Sequence, residues 1–191
     1  MTSPVNDASV FLINTLFDLY LFILVVRLVL VAMRVDYFNP LSQMIIKLTQ
    51  PLIGPLRRFI PNYKNIELAT VCVILILEIV KYALLGVTLF GLPNPIGLIV
   101  LALADSLKSL VNLFFYAIII QAIMSWVNAG YSPMAEVLAK ITSPIMRPFQ
   151  QVIPPVGGMD ISPIPAMITL QLLLILLIGP LFKLGWSMAF G

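Results

Sequence analysis

The chain has 191 residues, is 61% hydrophobic and only 10% charged, and carries a net charge of +3 with no histidine. A soluble domain needs about a quarter of its residues charged to cover its surface, so a mean hydropathy of +1.07 and several apolar stretches of about 20 residues indicate a polytopic α-helical membrane protein. With Cys72 as the one cysteine and no imidazole, disulfides, thiolate–imidazole metal sites, haem ligation by histidine and Ser-His or Cys-His catalysis are excluded.

The opening MTSPVNDASV has no Lys or Arg and leads into a stretch too long for a signal h-region. It is read as an uncleaved first span, from about Val10 to Met33. A proline-studded connector, 39–66, follows, and then a second span from about Leu68 to Phe90. FGLPNPIG makes the next turn, its Gly and Pro residues suiting a tight hairpin. The third apolar stretch ends near Trp126; counted from Ile96 it would be about 46 Å long, more than a ~30 Å core, so it must tilt or begin outside the hydrocarbon. Its membrane-crossing part is put at about 100–127. A second connector, 132–163, leads to the fourth span, about Ile164 to Leu184.

The connectors echo each other. A shift of 93 residues aligns Pro40, Lys47, Thr49, Pro51, Pro55, Ile60 and Pro61 with Pro133, Lys140, Thr142, Pro144, Pro148, Ile153 and Pro154, seven identities in 22 positions without a gap. The chain therefore reads as two units, 1–92 and 93–191, each span–connector–span. Two spans return the chain to its starting side, so the units are parallel, not inverted.

Each connector opens on an N-cap acceptor followed by proline: Asn39-Pro40 and Ser132-Pro133. An i, i+3, i+4, i+7 stripe follows, Leu41, Met44, Ile45 and Leu48 in one and Met134, Val137, Leu138 and Ile141 in the other, with Ser42, Gln43 and Lys47 opposite the first. The pattern predicts amphipathic interfacial helices stopped by Pro51 and Pro144. These helices brace the hairpins as interfacial collars, or they offer a docking surface to a partner protein or anionic lipid. Basic residues gather here, including Lys47, Arg57, Arg58, Lys140 and Arg147, while the N-terminal tail and central turn have none. The positive-inside rule puts the connectors in the cytoplasm and both termini on the other side.

Ionisable residues within spans are the default functional candidates. Asp18 and Arg27, about 13 Å apart along one helix, are too far for a direct pair; Arg27 can snorkel to the cytoplasmic end, and Asp18 stays a candidate. Glu78 and Lys81, and Asp105 and Lys108, each share a helix face. Lys81 and Asp105 are equally far from Pro93, as are Glu78 and Lys108. The hairpin therefore predicts cross-pairs Lys81–Asp105 and Glu78–Lys108. Two readings stand: an electrostatic latch fixing register, and a proton or ion path extended by Asn112 and Gln121. At the fourth span, GGMDISPIP offers Asp160 or Ser162 as the cap of a helix begun by Pro163, with Asp160 aligned to Glu67. Trp126, Tyr131 and Trp186 suit interfacial belt positions.

These features resemble a known family. The doubled NP…K-x-T-x-P-x-x-x-P-x-x-x-x-IP, with GGMDISP after the second copy, is similar to the bacterial YggT/YlmG membrane proteins. DYFNPLSQMIIKLTQPLIGPLRRFIP and IMSWVNAGYSP resemble the two-unit proteobacterial form, and the likeness covers almost the whole chain. It implies a bacterial inner-membrane protein. Bacterial relatives are linked to osmotic or envelope stress and potassium uptake, others are encoded near cell-division genes, and chloroplast relatives are tied to nucleoid organisation and haem attachment. Gln150 and Gln151 stand where paired arginines are expected, which argues against a two-fold basic docking surface.

The functional expectation is a non-enzymatic accessory or scaffold in stress adaptation or complex assembly, with no cofactor. Its expected partners are the lipid bilayer and a membrane protein or second copies of itself, without direct nucleic-acid contact. The alternative is an oligomeric ion-translocating or channel-modulating protein using Glu78, Lys81, Asp105 and Lys108. No nucleophile–base pair or metal set supports an enzyme.

Overall fold

Hydrocarbon offers no partner to a backbone N–H or C=O, so each apolar stretch must satisfy its own polar groups as a helix. The computed structural model describes residues 4–127, 132–154 and 160–191 and follows that rule. Four helices are long and apolar enough to cross a membrane: α1 (Pro4–Ala32), α3 (Leu68–Leu89), α4 (Pro95–Trp126) and the stretch Pro163–Phe190. Two shorter helices, α2 (Pro40–Leu56) and α5 (Pro133–Val152), form the connectors. The architecture is all-α; the described residues hold no strand, only an isolated bridge between Tyr63 and Ile66. Tyr131, the glycine pair 157–158 and the side chain of Trp126 lie outside the described residues.

The last stretch is α6 (Pro163–Leu173), a π-helical turn (Leu174–Ile178) and α7 (Gly179–Phe190). Pro180 has no N–H to continue an α-ladder, and the wider turn, with Gly179 N–H bonded to the Leu174 carbonyl, carries the chain past it.

The connector starts form as their sequence dictates. Asn39 accepts from Leu41 N–H and Ser132 from Ala135 N–H, each satisfying one orphan donor. Their ends differ from expectation: neither Pro51 nor Pro144 stops its helix, and α2 and α5 run on through Pro55 and Pro148 as well. All four prolines lie on exposed faces, so the carbonyls they orphan open onto solvent or headgroups and do not break a packed ladder.

The apolar stripe is divided between the bundle and the outside. In α2 the bundle takes Ser42, Ile45, Thr49 and Ile53, while Met44 and Leu48 of the expected stripe point outward, 52% and 50% exposed. A membrane helix that turns Leu and Met to lipid loses nothing, so small and polar residues go inward to make contacts lipid cannot. Around this face Leu24, Ile53, Ala69 and Val137 build one core, drawing on α1, α2, α3 and α5.

The central turn uses Gly91, at φ +98°, after α3 and Asn94 as the N-cap of α4, its side chain accepting from Ile96 N–H. The C-terminal helix closes on this turn. Asn94 N–H donates to the Ala189 carbonyl at 3.1 Å. A Cβ at Gly97 would meet the Ala189 backbone, and one at Gly185 would lie 2.9 Å from Leu101 N. Small residues thus let α4 and α7 approach to backbone contact.

Candidate functional site

Lys81 is the centre of the membrane-embedded charge cluster. It sits midway along α3, 2% exposed, and three carboxylates from three helices meet it. Asp105 Oδ2 of α4 lies 2.6 Å from Lys81 Nζ, and Asp18 Oδ1 of α1 lies 3.0 Å away. Glu78 Oε2, one turn back on α3, is 2.6 Å away, at an angle outside hydrogen-bond geometry. Tyr82 Oη donates to Asp105 Oδ2 at 2.8 Å, and the Lys81 ammonium also stands 4.8 Å from the Tyr82 ring centre.

The predicted Glu78–Lys108 pair does not form. Glu78 turns into the bundle, whereas Lys108 is half-exposed, 3.7 Å from Asp105 Oδ1 and 5.8 Å from the Phe182 ring centre. Equal distance from a turn sets depth but not direction. Lys81 and Asp105 share the α3–α4 interface, and one turn further on the two side chains diverge.

Asp18 is the member that hairpin arithmetic on α3 and α4 alone does not reach. Its side chain remains 61% exposed while its oxygen contacts Lys81. It borders a cleft of about 340 Å³ between α1 and α4, floored by α3. Asn14 lies one turn before it on α1, and Asp105, Lys108, Ser109, Asn112 and Tyr116 form a polar stripe along α4. Three carboxylates against two ammonium groups leave the cluster one negative charge in excess. Among the described residues no group of three or more Asp, Glu, Cys or His is placed to hold a metal ion.

A second node lies where α1 meets the connector. Arg27 does not snorkel. It is 2% exposed, with Nε and Nη2 on the two Glu67 oxygens at 2.8 and 3.0 Å and Nη1 on Thr49 Oγ1 at 2.8 Å. Thr70 Oγ1 donates to Glu67 too, and Arg57 approaches it at 3.6 Å. Burial alone would raise the Glu67 carboxyl, but hydrogen bonds from Arg27 and Thr70 and the charges of Arg27 and Arg57 together hold it below the ordinary value. The sequence hints at each partner separately, an arginine within the first span and an acid opening the second, but not at their meeting across the connector.

The second connector repeats this geometry with amides. Gln150 Nε2 donates to Asp160 Oδ2 at 2.8 Å where Arg57 faces Glu67, and Thr142 Oγ1 donates to Gln121 Oε1 where Thr49 meets Arg27. Gln121 therefore belongs to the connector node, away from Asn112 and the cleft. Asp160 does not act as the N-cap: its Oδ1 accepts from Ser162 N–H at 2.9 Å, and Ser162, the residue before Pro163, makes no side-chain cap bond. Desolvation would raise Asp160, but hydrogen bonds from Gln150 and Ser162 lower it on balance. Of the connector cations, Lys47, Arg58 and Arg147 are exposed, and Lys140 pairs with Glu136 at 2.9 Å. Trp186 packs among Phe90, Phe182 and Phe190, with ring centres 4.8–6.3 Å away.

Two segments of this chain, 6–88 and 100–181, match the model of one protein family, CCB3/YggT. The chain belongs to that family. It is 40% identical over 181 residues to the Vibrio alginolyticus protein of the proC 3′ region, covering 90% of this chain and 96% of that one. It is 38% identical to YggT of Escherichia coli K12, covering 88% of this chain and 87% of that one. A shorter likeness, 27% over 71 residues, covers 37% of this chain and 28% of a chloroplastic YlmG homologue of Arabidopsis thaliana. No solved structure matches the chain.

Proposed function

We propose that this family member is a non-enzymatic accessory protein of the bacterial inner membrane that works as part of a larger assembly, in osmotic or envelope stress adaptation or in building a membrane complex. The observation that carries this reading is the open cleft. Halfway along α1, Asp18 is 61% exposed at a depth where an uncovered charge costs about 3 kcal/mol. Its ion pair with Lys81 answers only one side of the carboxylate. A polar helix of a partner, or of a second copy, laid between α1 and α4 would cover Asp18, Asn112 and Lys108 together.

Two further features of the proposal come from the sequence. The connectors face the cytoplasm and the termini the other side, supported by the basic residues clustered at the connectors. The chain is a parallel duplication, supported by the two separate family matches and by the paired threonine and acid contacts of the connector nodes.

A photo-crosslinking residue at position 112, activated in native membranes, tests the assembly. The expected product is a protein adduct that Asp18→Asn weakens; lipid adducts alone would refute it. The α4 polar stripe also favours a second reading, since from Asp105 to Tyr116 it runs about 17 Å along the helix. Potassium flux in vesicles holding only this chain, abolished by Asp18→Asn, would establish that ion path in place of the accessory role.

A further inference from the structure

A cavity of about 210 Å³ lies at the cytoplasmic-connector end of α1, between α1, the face of α2 that runs from Ser42 past Ile46 to the C-cap Arg57, and Glu67 before α3. Its charged lining is Arg27, Arg34, Arg57 and Glu67. Glu67 cancels one of the three guanidiniums, leaving a net +2. The N-terminal turn of α2, a 17-residue helix, adds its positive dipole end.

Two observations show that this is more than a surface accumulation of arginine. Ser42 lines the cavity, is 2% exposed, and its Oγ has no hydrogen-bond partner among the described residues. A helical serine ordinarily bonds back to the carbonyl four residues earlier, but position 38 precedes the helix. The hydroxyl therefore has a donor to offer into the cavity. Arg34 also occupies the left-handed cap that ends α1, at φ 50°, with its N–H on the Val31 carbonyl and Val35 N–H on the Leu30 carbonyl. Glycine is the usual residue there, because a Cβ is crowded in that conformation. An arginine stands at the mouth of the cavity despite that strain, held by Nε and Nη2 bonds to Asn65 Oδ1.

Apart from Tyr37, the remaining wall is aliphatic: Leu30, Val31, Val35 and Ile46. A free inorganic anion has no use for such a wall, whereas a phosphodiester with an acyl chain attached uses both parts. The geometry points to a binding site for an anionic glycerophospholipid, its phosphate against Arg34 and the Ser42 hydroxyl, its first methylenes along Val31 and Ile46, and Arg57 at the far end of the cavity adding positive field. Arg27 is committed to Glu67 and Thr49 and supplies field more than contact.

The test measures lipid retained by the full chain. The protein is purified in a neutral detergent, reconstituted in nanodiscs of equal phosphatidylglycerol and phosphatidylcholine, and its bound lipid is counted by native mass spectrometry. The expected result is selective retention of phosphatidylglycerol, reduced roughly ten- to thirtyfold by Arg34→Gly with Arg57→Gln, from about 1 kcal/mol per cation at an anionic surface. Arg34→Gly relieves the strained cap, so the variant keeps its fold, and unchanged thermal unfolding in detergent verifies this. Ser42→Ala should lower retention without altering charge. Arg58→Gln, an exposed arginine outside the cavity, should leave it unchanged. Equal retention of the two lipids, undiminished retention by the double variant, or an equal loss with Arg58→Gln overturns the proposal. So does full displacement by millimolar inorganic phosphate, which would reassign the site to a free anion.

Discussion

Lys81→Met is the sharpest perturbation of the embedded cluster. Methionine nearly matches the stem of lysine in volume, so what is removed is the charge. The ammonium serves Asp105 at 2.6 Å, Glu78 at 2.6 Å and Asp18 at 3.0 Å. Asp18 is open and can recruit other partners, but Glu78 and Asp105 are 1% and 8% exposed. Removing one partner of a buried ion pair costs about 3–5 kcal/mol because a charge is stranded. Lys108→Met removes the same charge from the same cluster at 3.7 Å and half-exposed. Asp105 keeps its shorter 2.6 Å contact with Lys81, so losing the longer one should cost about 1 kcal/mol or less. The two variants should therefore differ by at least about 2 kcal/mol. The triple variant Lys81→Met, Glu78→Gln, Asp105→Asn strands no buried charge and should recover more than half of the loss. Unfolding in mixed micelles, followed by labelling of Cys72 on α3 with a thiol-reactive dye, reads all of them. Lys81→Met and Lys108→Met within about 1 kcal/mol of each other would refute the hub.

Gly97→Val forces a side chain into the Ala189 backbone and should cost at least about 2 kcal/mol in the same assay, while Gly54→Ala, whose Cβ would have only Gln50 side-chain atoms at 3.6 Å or beyond, should be neutral or stabilising by up to about 1 kcal/mol. Glu67 carries a pH signature. Its folded pKa lies below its ordinary 4.5, so its contribution is fully present above about pH 4.5 and is lost as pH falls through the lowered value. A pH series of unfolding midpoints should show that acid loss in the native chain and a smaller one in Glu67→Gln. Arg27→Met strands Glu67 in its buried site and should cost about 3–5 kcal/mol, with Arg27→Met/Glu67→Leu recovering a substantial part; an additive double variant would refute the pairing.

Most of the architecture was legible because lipid imposes a length and a composition on every span, and Asn-Pro and Ser-Pro announce their helices in plain chemistry. Direction was harder to read than position. Lys81 and Asp105 meet because depth can be counted from the central turn, but which way Glu78 and Lys108 face depends on how α3 and α4 cross. Pro51 and Pro144 looked like stops because proline breaks a packed helix, and only burial reveals that their orphaned carbonyls open outward. Met44 and Leu48 turn outward while Ser42 and Thr49 turn inward, because apolarity alone does not choose the inner face of a helix that has lipid beside it. Arg27 and Glu67 are 40 residues apart, joined by a connector whose path no local pattern dictates. Asp18 reaches Lys81 only once α1 is packed beside the hairpin.

One side chain outside these clusters joins the two connectors. The Oδ1 of Asn39 caps its own helix, and its Nδ2 donates to the Pro133 carbonyl at 3.0 Å, at the start of the other connector helix. A cap needs only an acceptor, so Asp or Ser would start α2 about as well. Neither could replace the amide in its second role, since an ionised carboxylate has no proton to give and a hydroxyl is too short to serve both places. Exchange at this position would leave every helix intact and remove this bond between the connectors, leaving the core shared by Ile45, Ile53, Val137 and Ile141 to hold them together. Asn39 is thus a rivet disguised as a helix start.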